Sequence, residues 1–179
     1  HHFPFDDFND SNGAVSVSFG LIFNPADEVK INFNASTGFR SPNIDDAAKV
    51  FDSEPGNVIV PNPNLDPEYA SSFEAGINWE SSDQIQLEFT AFYTRLYNAM
   101  VRRDGQVNGQ DSILYDGAMS KVQLLTNTSW ANMGGLSSRI RFKFNKNFKS
   151  KASINWQTGM DSDQLPMRHI APLFGDIHL

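Results

Sequence analysis

Residues 38–79 read GFRSPNIDDAAKVFDSEPGNVIVPNPNLDPEYASSFEAGINW, and this stretch decides the fold. Just upstream, Val29, Ile31, Phe33 and Ala35 alternate with Lys30, Asn32, Asn34 and Ser36; at its end, Phe73, Ala75, Ile77 and Trp79 alternate with Ser72, Glu74, Gly76 and Asn78. A period of two belongs to a β-strand with one apolar and one polar face. Between the two strands stand Pro42, Pro55, Pro61, Pro63 and Pro67. Each lacks an amide hydrogen and fixes its own φ, so neither a continuous helix nor a central strand can run through them. The stretch is a long polar connection from Phe39 to Tyr69 between two-faced strands. Within it, Asn43 to Lys49 is expected to form a short helix capped by Asn43, with Asp45 and Asp46 in its first turn.

The same pattern extends in both directions. A first strand is expected from Ala14 to Asn24, with Val15, Val17, Phe19, Leu21 and Phe23 on one side, followed by a turn over Asn24-Pro25-Ala26-Asp27. Downstream, the turn Glu80 to Asp83 leads to a strand in which Ile85, Leu87, Phe89, Ala91 and Tyr93 oppose Gln86, Glu88, Thr90 and Thr94. A second long connection is expected over Asn98 to Thr126. The fifth strand begins near Ser129 and shifts parity at Gly134-Gly135, as a β-bulge would, so that Ala131 and Met133 share a side with Leu136, Ile140, Phe142 and Phe144. A short turn, Asn145 to Lys149, precedes a sixth strand with Ala152, Ile154 and Trp156 on its apolar side. A third connection, Asp161 to Pro172, leads into the start of a seventh strand over Leu173 to Leu179.

The fold class is therefore all-β. Among 179 residues, 15 are Phe and none is Cys, which leaves no disulfide framework and no thiolate metal site. A net charge of −7 excludes nucleic acid as a partner, since phosphate neutralisation needs clustered Lys and Arg. No apolar run is long enough for a membrane-spanning helix, but a mean hydropathy of −0.40 is compatible with spanning strands, whose two faces average out. No signal peptide starts at His1, so the natural start of the polypeptide is expected upstream.

Connections alternate tight, long, tight, long, tight, intermediate, the asymmetry of outer-membrane barrels with short periplasmic turns and longer extracellular loops. Strands of roughly ten residues match the ~9–11 that cross a bilayer at a tilt. Aromatic residues near the expected strand ends (Phe23, Trp79, Tyr93, Tyr97, Phe144 and Trp156) suit interfacial girdles, while Lys30, Glu74, Glu88, Arg139, Arg141 and Lys143 sit mid-strand on the polar side. A soluble β-rich ligand-binding module would alternate as well, because one face packs on a core.

Two motifs bracket the long connection: Phe39-Arg40-Ser41-Pro42, and Asn62-Pro63-Asn64-Leu65-Asp66-Pro67-Glu68. They resemble the FRAP and NPNL-x-PE signatures of TonB-dependent outer-membrane receptors, with Ser41 where that family usually has Ala. Phe92 to Val101 is similar to the family's strand entering a loop. Asn132 to Leu136 resembles its N-x-G-x-x-G-L-E pattern, with Ser137 replacing the acid, and Pro166-Met167-Arg168-His169-Ile170-Ala171-Pro172 resembles its P-x-R-H-I-P-P element.

The resemblance implies an antiparallel, up-and-down transmembrane barrel of about 22 strands around a plug. Residues 1–179 would be its middle to later part, with the plug, the energy-coupling box and the C-terminal strands outside them. It further implies a Gram-negative outer-membrane location, outer-membrane lipid and TonB (through the plug) as partners, and non-enzymatic uptake of a small-molecule chelate, most often a ferric siderophore. A passive porin-like channel would differ in lacking a plug. Members that import haem usually carry His between the two bracketing motifs, and Asn43 to Pro61 contains none.

Phe39, Arg40, Pro42, Asn62, Pro63, Asn64, Leu65, Pro67, Glu68, Arg168 and His169 would then be structural motif residues, and Glu74, Glu88, Arg139, Arg141 and Lys143 would line the lumen. Arg40, Arg102 and Arg103 are the candidate ligand contacts, drawing an anionic chelate into the loops; for Arg40 the alternative is an ion pair with Asp45 or Asp46, and for Arg102 and Arg103 a solvated charge pair. No cofactor and no resident metal site is expected. The Asp and Asn residues near Asp6 to Asp10 and Asp161 to Asp163 lack EF-hand spacing.

Overall fold

The computed structural model describes residues 12–47, 50–81 and 84–179. In chain order these form β1 (Ser18–Ala26), β2 (Val29–Arg40), the single helical turn α1 (Ile44–Ala47), β3 (Phe51–Glu54), β4 (Asn57–Ile59), β5 (Glu68–Ser81), β6 (Ile85–Asp104), β7 (Ser112–Tyr115), β8 (Ala118–Lys143), β9 (Lys149–Asp161) and β10 (Phe174–His178). Two compact units emerge. A sheet unit comprises residues 16–38, 70–96 and 130–179; a connection unit comprises 39–69 and 97–129, with 12–15.

In the sheet unit, strand order is β1-β2-β5-β6-β8, continued by β9 beside β8 and β10 beside β9. The β1/β2, β8/β9 and β9/β10 pairs are antiparallel. Register puts Phe19 opposite Ala35, Leu21 opposite Phe33 and Phe23 opposite Ile31, all on one face. That face is not a core. Phe19 is 66% exposed, Phe33 50%, Ile77 41% and Phe89 42%. The opposite face is polar, and its side chains bond across neighbouring strands: Ser18 Oγ with Asn34 Oδ1 (3.3 Å), Ser72 with Thr94 (2.9 Å), Arg139 to Glu88 (2.9 Å), Ser137 to Asn155 (2.8 Å), and Ser153 to Asp176.

The connection unit is built the other way round. Val58, Val60, Val107, Ile113 and Val122 form a buried aliphatic cluster, with Val50, Tyr115 and Leu124 packed against it. Its ladder includes a parallel pairing of β4 with β8, which sets Asn57 opposite Lys121.

Several boundaries differ from those expected. β1 starts at Ser18 rather than Ala14, although Val17 still exchanges hydrogen bonds with Thr37. Its turn is Asp27-Glu28, since Ala26 pairs with Val29; Pro25 is carried in the strand at an irregularity between Phe23 and Ala26, where no ladder hydrogen is required of it. The predicted turn over Glu80 to Asp83 falls partly outside the described residues. The expected loop over Asn98 to Thr126 is mostly strand: β6 continues to Asp104, β7 is new, and β8 starts at Ala118. Two tight reversals drive this. Asn108-Gly109 (φ 52° and 77°) and Asp116-Gly117 (φ 46° and 81°) both adopt the left-handed conformation that matches hairpin twist. Likewise β3 and β4 turn at Pro55-Gly56 within the first long connection. Because the strands are longer, Tyr93, Tyr97 and Trp156 lie within them and not near their ends.

The bulge expected at Gly134-Gly135 is absent from the β8/β9 ladder, whose register runs unbroken from Ala131 opposite Asp161 to Lys143 opposite Lys149. Ala131 and Met133 consequently share the polar face with Arg139, not the face of Leu136. Gly135 answers a different need. A Cβ there would lie 2.7 Å from the Phe92 ring and 2.5 Å from the Trp156 carbonyl oxygen, so the glycine admits an aromatic ring across the strand. Gly135→Val is expected to destabilise the protein by ~1–3 kcal/mol through overpacking. Phe92→Ala in the same chain should recover part of that loss, read as a non-additive melting shift in a double-mutant cycle; strict additivity would show that the ring is not what the glycine accommodates.

Candidate functional site

The connection unit gathers both bracketing motifs. The Phe39 ring packs against Tyr69, with centroids 5.4 Å apart, and Pro42 is buried. Arg40 donates to Asp46 Oδ2 at 2.6 Å. That carboxylate also accepts from the Asn43 backbone (3.2 Å), while Asn43 Oδ1 accepts from the Asp46 amide (2.9 Å). This reciprocal exchange is how an asparagine caps a helix start, and it ties Arg40 to α1.

The second motif works through its asparagines and its glutamate. Asn62 Nδ2 donates to the Leu125 carbonyl at 2.7 Å and its Oδ1 accepts from the Asn64 amide at 3.1 Å. Leu65 is buried. Asn127, just beyond the expected Asn98–Thr126 connection, closes the arrangement: its Oδ1 accepts from Asp66 N (2.8 Å), and its Nδ2 donates to Asp66 O (2.9 Å) and Asn98 O (2.6 Å). Asn98 has φ 53°, a left-handed residue inside β6. Two residues on, the Met100 amide donates to Glu68 Oε2 at 2.9 Å. Asn127 and Glu68 therefore hold the irregular stretch of β6 from either side. The signal available in the sequence was Asn98 itself, because Asn tolerates positive φ better than most residues.

The remaining site candidates are placed less simply. Arg102 and Arg103 lie in β6 and are half-buried rather than in an open loop; as strand neighbours they point to opposite faces, so they do not form one cationic patch. Arg168 and His169 lie in the turn between β9 and β10, where His169 has φ 63°. That turn is organised by the buried Asp161, whose Oδ1 accepts from the amides of Asp163 (2.9 Å) and Leu165 (3.0 Å). This is an Asx-type anchor, and no group of side chains able to hold a metal ion occurs among the described residues. Residues 6–10 lie outside them. On the polar face of the sheet unit, Glu88 accepts from Arg139 (2.9 Å) and Arg141 (3.2 Å), while Glu74 and Lys143 are exposed.

A two-faced antiparallel sheet whose apolar side is uncovered, joined to an ordered connection unit, is the architecture of an outer-membrane barrel wall. Residues 2–141 match the family model described as TonB dependent receptor-like, beta-barrel, and the chain belongs to that family. It is 26% identical over 170 residues to a probable hemoglobin and hemoglobin-haptoglobin-binding protein 4 of Haemophilus influenzae, covering 88% of this chain and 16% of that protein. Its fold is similar to that of the copper transporter OprC (TM-score 0.68, 15% identity, 89% of this chain and 23% of that one). It is also similar to the siderophore receptor PirA of Acinetobacter baumannii (TM-score 0.62, 17% identity, 85% and 24%). The chain thus spans between a sixth and a quarter of the length of these relatives.

Asn127→Ala removes three hydrogen bonds to exposed backbone groups and is expected to cost ~0.5–1.5 kcal/mol. Hydrogen exchange at the Asp66 amide should accelerate markedly while amides of β9 keep their protection. Uniform acceleration across both units would show that Asn127 is a general stabiliser and not the local clamp.

Proposed function

We propose that residues 1–179 are a section of the barrel wall of an outer-membrane receptor that imports a scarce ligand under TonB control, and that the plug and the other strands are supplied by the rest of the polypeptide. One observation carries this reading: the sheet unit leaves its aromatic and aliphatic side chains exposed while its polar side chains bond to each other on the other face. In water so large an uncovered apolar surface favours association. Against hydrocarbon it is the stable arrangement, and the polar face then looks into the lumen.

In this reading Phe19, Phe33, Phe73, Ile77, Phe89 and Ile154 touch lipid, and Glu74, Glu88, Arg139, Arg141 and Lys143 line the lumen. The connection unit is extracellular and contributes to ligand capture; transport breaks no bond, so the protein is not an enzyme. Arg40 serves that region chiefly by holding α1 through Asp46, and the motif residues from Asn62 to Glu68 keep β6 in its irregular path. The ligand we propose is a ferric siderophore or similar chelate. Names of relatives span haemoglobin, copper and siderophores. Asn43 to Pro61, where haem importers of the family usually carry His, has no such ligand for haem iron here.

A charge on the lipid face tests the wall. Phe33→Arg or Phe89→Arg should cost ~2–4 kcal/mol near the bilayer midplane, measured by reversible unfolding from lipid vesicles, whereas Thr90→Arg on the polar face should cost clearly less. Equal costs at the two faces would refute the assignment. For the ligand, a strain dependent on the whole receptor should grow under iron limitation on ferric siderophores and not on haemoglobin; growth on haemoglobin alone would replace the chelate by haem.

A further inference from the structure

The sequence from Arg139 to Lys151, RIRFKFNKNFKSK, holds six of the chain's 14 Lys and Arg residues and no Asp or Glu, in a chain of net charge −7. It folds as the β8/β9 hairpin, closed by Asn145, whose Oδ1 accepts from the amides of Asn147 and Phe148 at 2.9 Å. Register sets Arg141 opposite Lys151 and Lys143 opposite Lys149. These are two successive like-charged pairs on one face, an arrangement that by itself destabilises a hairpin.

Carboxylates nearby do not relieve it. Glu88 is shared between Arg139 and Arg141. Asp176 on β10 is engaged by Ser153 and by His178 (2.9 Å), and of the basic residues in this hairpin it interacts electrostatically with Lys151. Among the described residues, Lys143 and Lys149 meet no acidic partner. Arg141, Lys143, Lys149, Lys151 and His178 line a groove of about 490 Å³ to which, among the described residues, no Asp or Glu side chain contributes.

We propose that this groove binds a phosphate group. Directly opposed residues stand about 5 Å apart, and residues two apart along a strand about 7 Å. The four side chains thus surround an area that one tetrahedral dianion can serve, accepting from all four corners. A single carboxylate has one charge on two oxygens and leaves the second pair repelling. Lysine ammonium groups on flexible stems and the arginine fork are both suited to phosphate oxygens. The ligand class is inorganic phosphate or a phosphomonoester, free or at the head of a lipid. This inference rests on the register of one hairpin and stands apart from the uptake reading.

The test uses the whole receptor in maltoside micelles, which carry no phosphate. Inorganic phosphate should broaden its ³¹P resonance saturably and raise the melting temperature beyond what chloride does at equal ionic strength. Lys143→Ala/Lys149→Ala should bind phosphate about tenfold more weakly or worse. With its repulsion removed, that variant should also melt above the wild type in phosphate-free buffer and fall below it when phosphate is added, a crossing that lysines of merely structural value would not produce. A second arm replaces the inorganic ion by phosphatidic acid, with diacylglycerol as control. Saturation by either ligand, lost in the double variant, supports the site and identifies its source. Responses to both ligands no larger than those to chloride and diacylglycerol, responses unchanged in the variant, or capture of an acidic peptide with no response to either phosphate form, would overturn it.

Discussion

A sheet one residue thick has two sides, and the period of two in its strands commits each side to one chemistry. Everything else in this chain depends on that constraint. Once Leu21 and Phe33 share a face, Gly20 and Asn34 must share the other, and a slip of one residue would exchange the two environments along the whole strand. The cross-strand bonds of the polar face, from Ser18 with Asn34 to Ser153 with Asp176, make the alternation specific. They join β1 to β2, β5 to β6, β6 to β8, β8 to β9 and β9 to β10, so that most neighbouring pairs are fixed by polar side chains as well as by backbone. Register is thereby set without a hydrophobic interior.

Buried packing occurs where the sequence looks least likely to supply it. Val58, Val60, Val107, Ile113 and Val122 come from stretches broken by Pro55, Pro61, Gly105 and Asn108. Apart from Val122, near the start of the long β8, they lie in or beside strands of three or four residues, or at a turn. That is too little for a periodic signal, yet enough for a compact cluster once β4, β7 and β8 are side by side.

This explains which parts of the fold were legible. Alternation over eight or more residues, as in β2 or β9, is visible because each face of a strand admits one class of side chain at every second position. The helical turn was legible because a cap and its first-turn acids are local. The hairpins at Asn108-Gly109 and Asp116-Gly117 carried turn signals of their own, but flanking strands such as Ser112–Tyr115 are too short to alternate convincingly. The Gly134-Gly135 pair misled because glycine in a strand marks either a bulge or a close approach; only the position of the Phe92 ring separates the two. Of the site, Arg40 with Asp46 was readable within one short segment. Asn127 was not, since its partners Asp66 and Asn98 are remote in sequence and nothing local marks a side chain that bridges them.

The parallel pairing of Asn57–Ile59 with Lys121–Gln123 has a kinetic implication. Antiparallel neighbours joined by short turns can zip from the turn outward, but a parallel contact this remote along the chain carries a large loop-closure entropy until the intervening strands are in place. The aliphatic cluster that depends on it is therefore expected to mature after β5, β6 and β8 have aligned. Loop-closure entropy thus favours an assembly that runs from hairpin wall to packed connections, with the surface built by the longest-range contacts ordering last.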